Sequence, residues 1–164
     1  MSKVLVVDDC EGTCTIIAEF VTRDIPEAIV STATDGEETL RRVTEDQPSL
    51  LILNIIMGGK TGLEVLDEMR ADGCDIPVIL TSGYVTREEL VSRGTLDDER
   101  VRFFAKPFTG DELVEAVREI LPGEVIPLLP CGASHTARVT RRRPAVTRKR
   151  KWSPPRFGTR PPRK

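Results

Sequence analysis

The 164 residues contain a single histidine, His135, and it falls after residue 130. Ser82 therefore has no histidine partner in the preceding segment, which excludes a serine–histidine–acid hydrolase there. The four cysteines, Cys10, Cys14, Cys74 and Cys131, never form a C-x-x-C pair. Cys10 and Cys14 lie four apart and supply two thiols, a poor zinc site. They read as small buried or half-buried residues in a reducing compartment. No apolar run approaches the ~20 residues of a membrane-crossing helix, and the N-terminus runs at once into a charged strand end. Neither a signal peptide nor a membrane span is expected, and the location expected is cytoplasmic.

Acidic residues are absent from 131–164, and this absence divides the chain. Residues 1–130 hold 12 Lys/Arg against 26 Asp/Glu, a net of −14, whereas residues 131–164 hold 12 Lys/Arg and no acid, a net of +12. The overall −2 hides an acidic domain carrying a basic arm. Pro122, Pro127 and Pro130 lead into Arg141-Arg142-Arg143 and Arg148-Lys149-Arg150-Lys151, with few apolar residues and no period. The expected organisation is a domain over 1–122 and a disordered Pro/Arg/Lys-rich tail over 123–164. Such an arm suits weak, nonspecific contact with nucleic acid, with Trp152 and Phe157 available to stack. It equally suits a solvated extension without a role. No DNA-reading module is visible in it.

What is present over the first 121 residues is a strict alternation. Lys3-Val4-Leu5-Val6-Val7, Ala28-Ile29-Val30, Leu50 to Asn54, Pro77 to Ser82 and Val101 to Ala105 are apolar, strand-like runs. Helical patterns follow them at Thr13–Arg23, Asp35 to Pro48, Thr61–Arg70, Thr86–Val91 and Thr109–Leu121. The run Leu50-Leu51-Ile52-Leu53 is too uniformly apolar for a half-exposed strand and suits one covered on both faces. Five strand–helix pairs predict an α/β fold with a parallel sheet. In such sheets chemistry sits beyond the carboxyl ends of the strands. The polar residues at those ends are Asp8, Asp9, Asn54, Thr81, Ser82 and Lys106. Carboxylates beside a lysine and a hydroxyl form a set able to hold a hard cation and a phosphoryl group.

Val6-Val7-Asp8-Asp9, Leu53-Asn54-Ile55-Ile56-Met57 with Gly62, Thr81-Ser82-Gly83-Tyr84 and Phe104-Ala105-Lys106-Pro107-Phe108 fall at successive strand ends. Together they resemble the receiver domain of two-component response regulators (CheY-like) across about residues 3–121. The resemblance implies a flavodoxin-like, doubly wound five-stranded sheet of order 2-1-3-4-5 with five helices. It further implies a phosphorelay role, with a sensor histidine kinase or phosphotransfer protein as donor. A downstream protein would be met on the face of the fourth helix, fifth strand and fifth helix. By the same resemblance Asp8 and Asp9 match the acids that hold Mg2+, and the Ile56 backbone carbonyl completes that site. Ser82 matches the hydroxyl that turns toward the acyl phosphate, and Lys106 the phosphate-contacting lysine, followed by Pro107 in a cis peptide. Phe103 matches the aromatic that switches inward with Ser82.

The sequence departs from the family at its centre, because Asn54 occupies the phosphoacceptor position. A carboxamide is a far poorer nucleophile than a carboxylate and carries no charge. Phosphorylation is therefore not expected, and Mg2+ is expected to bind weakly with Asn54 in the metal set. The chain itself is not expected to be an enzyme, although a parent with Asp at 54 would catalyse its own phosphoryl transfer. Either the chain is a natural pseudo-receiver, a constitutive protein-binding module, or an original aspartate has been replaced by its near-isostere. A single-domain regulator without a recognisable output domain is expected in both cases. The fourth helix reads as weakly specified, followed by a polar link over Ser92–Glu99.

One rival comes from another class. Asn54 to Thr61 reads N-x-x-x-x-G-K-T between a strand and a helix, one glycine short of a phosphate-binding loop. Gly59-Lys60-Thr61 would then hold a nucleotide. The missing first glycine crowds the backbone nest, and Asp8, Asp9 and Lys106 would go unexplained. Lys60 reads more simply as a solvated turn lysine.

Overall fold

The computed structural model describes residues 1–121. The boundary at residue 122 and the basic arm, with His135, Trp152 and Phe157, lie outside the described residues. Strand β1 (Lys3–Val7) is followed by α1 (Glu11–Asp24), β2 (Ile29–Ala33), α2 (Gly36–Asp46), β3 (Leu50–Asn54) and α3 (Gly62–Ala71). Then come β4 (Val78–Ser82), α4 (Arg87–Arg93), a single 3-10 turn at Thr95–Asp97, β5 (Val101–Ala105) and α5 (Gly110–Ile120). The strands form one parallel sheet of order β2-β1-β3-β4-β5, the doubly wound order expected from the sequence.

Because side chains alternate across a strand, each central strand feeds two cores. Leu5, Val7, Leu51, Leu53 and Leu80 pack with Leu63, Leu66 and Met69 of α3 on one face. Val4, Val6, Leu50, Ile52 and Ile79 pack with Ile17 and Val21 of α1 and Leu113 and Val117 of α5 on the other. Every residue of β3 and β4 is buried, which is why those runs are apolar without alternation. No helix among the described residues is long and apolar enough to cross a membrane.

Two elements differ from the sequence expectation. β2 runs from Ile29 to Ala33, since pairing from Lys3↔Ile29 through Val7↔Ala33 carries it across Ser31 and Thr32 on the sheet edge. α4 is better defined than expected. Thr86 and Glu89 form a reciprocal capping box at its start, and Gly94 closes it in a left-handed conformation, φ 75°.

Candidate functional site

The carboxyl ends of β1, β3, β4 and β5 bring Asp8, Asp9, Asn54, Ser82 and Lys106 to one edge. Asp8 is 2% exposed, so its charge requires partners. It has two: the Lys106 ammonium donates to Oδ2, and the Cys10 backbone N–H donates to Oδ1 at 3.0 Å. The adjacent N-terminus of α1 also favours negative charge there. Asp9 is exposed at the rim.

Asn54 ends β3 and is 6% exposed. Its Nδ2 donates to the Ile56 carbonyl at 2.7 Å and to Asp9 Oδ1 at 3.1 Å. Its Oδ1 accepts from Lys106 Nζ at 3.4 Å. The Asn54 amide therefore joins three of the residues singled out in the sequence: Asp9, Ile56 and Lys106. Behind it, Ile55 N–H donates to Thr81 O at 2.9 Å and Gly62 N–H to Ile55 O at 2.8 Å, fixing the turn that leaves β3.

Ser82 is buried, and its Oγ accepts from the N–H groups of Tyr84 (3.1 Å) and Val85 (3.0 Å). The Lys106 N–H donates to the Ser82 carbonyl at 2.7 Å, which places the lysine at the pocket, and Lys106-Pro107 is a cis peptide. Phe103 pairs in register with Leu80 and is half-buried against the α3-side core.

The turn after β3 corrects one reading and disfavours another. Lys60 is not a solvated lysine: its side chain is 19% exposed and its Nζ lies 3.0 Å from Glu37 and 2.8 Å from Glu68. Hydrogen bonding to Glu68, then to Glu37, raises its pKa. Thr61 is the N-cap of α3, in a capping box with Glu64. Both residues that a nucleotide would need are thus committed to structure. The reason is local: Gly36 lets α2 approach until a β-carbon there would lie 2.8 Å from Lys60 Cβ, which places Glu37 beside the ammonium.

Sequence reasoning missed the cysteines' part in this edge. Buried Cys14 donates its thiol to the Asp8 carbonyl at 3.4 Å, and burial raises its pKa. Cys10 is an exposed free thiol whose pKa is lowered by hydrogen bonds from the Thr13 side chain and the Thr13 and Gly12 backbone. The signal available was position alone, four residues apart at the start of a helix.

As a cation site the pocket is compromised. Asp9 Oδ1 and the Ile56 carbonyl are both occupied by the Asn54 amide, and both Asp8 oxygens have protein donors. Among the described residues no group of three or more His, Cys, Asp or Glu is placed to hold a metal ion. The donor set as it stands is a poor fit for a magnesium ion.

A parallel five-stranded sheet of this order, with acids, a hydroxyl and a lysine on one carboxyl edge, defines the receiver class of signalling domain. Comparison with known proteins agrees. The family model "response regulator receiver domain" matches residues 4–118. Sporulation initiation phosphotransferase F of Bacillus subtilis is 30% identical over 120 residues, covering 73% of this chain and 94% of that protein. The response regulator MprA of Mycobacterium ulcerans is 31% identical over 121 residues, 73% of this chain, which spans only 50% of that longer protein. Among solved structures, the response regulator TrrA of Thermotoga maritima, in complex with Mg2+ and BeF, is 31% identical. It matches with a TM-score of 0.61, covering 73% of this chain and 99% of that one. The Francisella response regulator 1452 receiver domain, 24% identical, shares the fold with a TM-score of 0.67 over 74% of this chain and 98% of that one. The chain belongs to the response regulator receiver family of two-component signal transduction.

Proposed function

We propose that this chain is a receiver that works by protein–protein contact and is not phosphorylated at residue 54. Asn54 is read as standing at the phosphoacceptor position. The observation that carries this is its location: it ends β3 between Asp9 and Lys106, within hydrogen-bonding reach of both. A carboxamide there lacks the nucleophilic carboxylate on which an acyl phosphate would form. Asp8, Asp9 and the Ile56 carbonyl are assigned to the family's magnesium, held weakly here because the third carboxylate is missing. Ser82 and Phe103 are assigned to the switch and Lys106 to the phosphate. The donor partner is a sensor histidine kinase or phosphotransfer protein, and the downstream partner docks on the α4–β5–α5 face. The basic arm adds weak, nonspecific nucleic-acid contact, and the setting is the cytoplasm. The chain is not an enzyme as it stands; with Asp at 54 it would catalyse its own phosphoryl transfer.

The test is incubation of the full chain and of Asn54→Asp with acetyl phosphate and Mg2+, read by intact mass. One labile phosphoryl group on Asn54→Asp and none on the present chain supports the reading. Modification of the present chain at the pocket overturns it.

A further inference from the structure

The Asn54 carboxamide has one accepting edge and one donating edge, whereas a carboxylate accepts on both. Lys106 fixes which edge faces which way. An ammonium has donors only, so the side of the amide toward Lys106 Nζ must be Oδ1, found at 3.4 Å. Nδ2 is thereby aimed at the remaining neighbours, Asp9 Oδ1 and the Ile56 carbonyl, both acceptors. Every hydrogen-bonding demand of this 6% exposed amide is met in that orientation.

We propose that the Asn54 Nδ2 takes the place of the divalent cation, so that this receiver keeps one pocket geometry whether or not Mg2+ is present. The inference rests on reading Asn54 as the acceptor-position residue and goes beyond a weakened site. A cation taking Asp9 Oδ1 and the Ile56 carbonyl must compete with an N–H donor already held by both oxygens. Turning the amide to offer Oδ1 to the cation would aim Nδ2 at the Lys106 ammonium, donor against donor. The lysine therefore locks the cation out by holding the amide. The tethered amide supplies partial positive charge to the same oxygens and, unlike an ion, does not dissociate. The domain is thus a cation-independent binding module with its active edge permanently closed.

The experiment compares thermal unfolding of the full chain, Asn54→Asp, Lys106→Met and the double variant in MgCl2 against NaCl of matched ionic strength. Calorimetric Mg2+ titration accompanies each. The expected result is no Mg2+-specific shift for the present chain and a clear rise in melting temperature for Asn54→Asp, whose affinity is stronger by roughly tenfold or more. Lys106→Met, free of the orienting ammonium, should regain part of the Mg2+ response with Asn54 still in place. An equal Mg2+ response in the present chain and Asn54→Asp overturns the inference. So does a silent Asn54→Asp, since the amide would then not be what keeps the ion out. The phosphoryl-transfer result is read separately by mass, so failure of the acceptor assignment and failure of the amide lock are distinguishable.

Discussion

Gly62 and Asn54 meet backbone to backbone. A β-carbon on Gly62 would overlap the Asn54 carbonyl oxygen and lie 3.0 Å from Ile55 Cα, so α3 starts directly against the end of β3. Gly62 is the first residue of α3, so the gain of alanine over glycine is at most the roughly 1 kcal/mol of a helix interior. Here the overlap outweighs that gain, at a cost of about 1–3 kcal/mol. Gly62→Ala should lower the urea midpoint. Gly58→Ala, where a β-carbon would meet nothing within 4 Å, should leave it nearly unchanged.

Arg70 ties α3 to the approach to β5. Its Nε donates to Asp98 Oδ2 at 2.7 Å, and its two terminal nitrogens donate to the Cys74 and Ile76 carbonyls at 2.7 and 3.0 Å. Burial alone would raise the Asp98 pKa, but the Arg100 N–H and the Arg70 guanidinium outweigh it and hold the carboxyl below its ordinary value. A depressed folded-state pKa means stability that is fully present above the unfolded value, about 3.9, and lost as pH falls through the lower folded value. Arg70→Met should cost about 1–3 kcal/mol at pH 7, with three acceptors losing their donor. It should also flatten the loss of stability on acidification below about pH 5. Urea melts from pH 7 to pH 3 check both.

Lys60 bridges Glu37 and Glu68, whose side chains are 78% and 49% exposed. Pairs this wet are worth about 0.5–1 kcal/mol and fade with salt. Lys60→Met should therefore destabilise slightly at low ionic strength and hardly at all in 1 M NaCl, about three times the screening of physiological salt. Titration with ATP or GTP should show no binding by either form.

Thr86 starts α4 by accepting from the Glu89 N–H, while the Glu89 carboxylate accepts from the Thr86 N–H at 2.8 Å. Thr86→Ala should cost about 1 kcal/mol. The loss should concentrate in α4, visible as faster amide exchange at Leu90 to Arg93 than in the rest of the sheet-packed domain. Uniformly faster exchange would show instead that α4 melts only with the whole domain.

The central strands β1, β3 and β4 were legible because their burial leaves little alternative to apolar side chains. Strand β5 at Val101–Ala105 matches its expected bounds, and β2 was read short where Ser31 and Thr32 lie on the half-exposed sheet edge. The edge residues were legible because a parallel sheet sends all carboxyl ends one way. The α4 bounds were harder to read. Its seven residues are too few for a periodic signal, and the useful signals were the caps: Thr86 three residues before Glu89, and Gly94 after Arg93. Lys60 was misread because its acids come from two other places in the sequence, α2 and the second turn of α3. The orientation of the Asn54 amide was also beyond the sequence, since it depends on a lysine 52 residues away.

The contact between Lys106 and Asp8 spans 98 residues. During synthesis the chain emerges N-terminus first, so Asp8 is made long before the ammonium that will neutralise it. A nascent or truncated chain ending before β5 must bury Asp8 with only the Cys10 N–H as a partner. Completion of the pocket is thereby deferred until the final strand docks, and fragments lacking that strand are denied a settled sheet edge. The lysine is a late-arriving keystone: the same ammonium that orients Asn54 also completes the sheet edge, leaving only α5 of the described elements to follow.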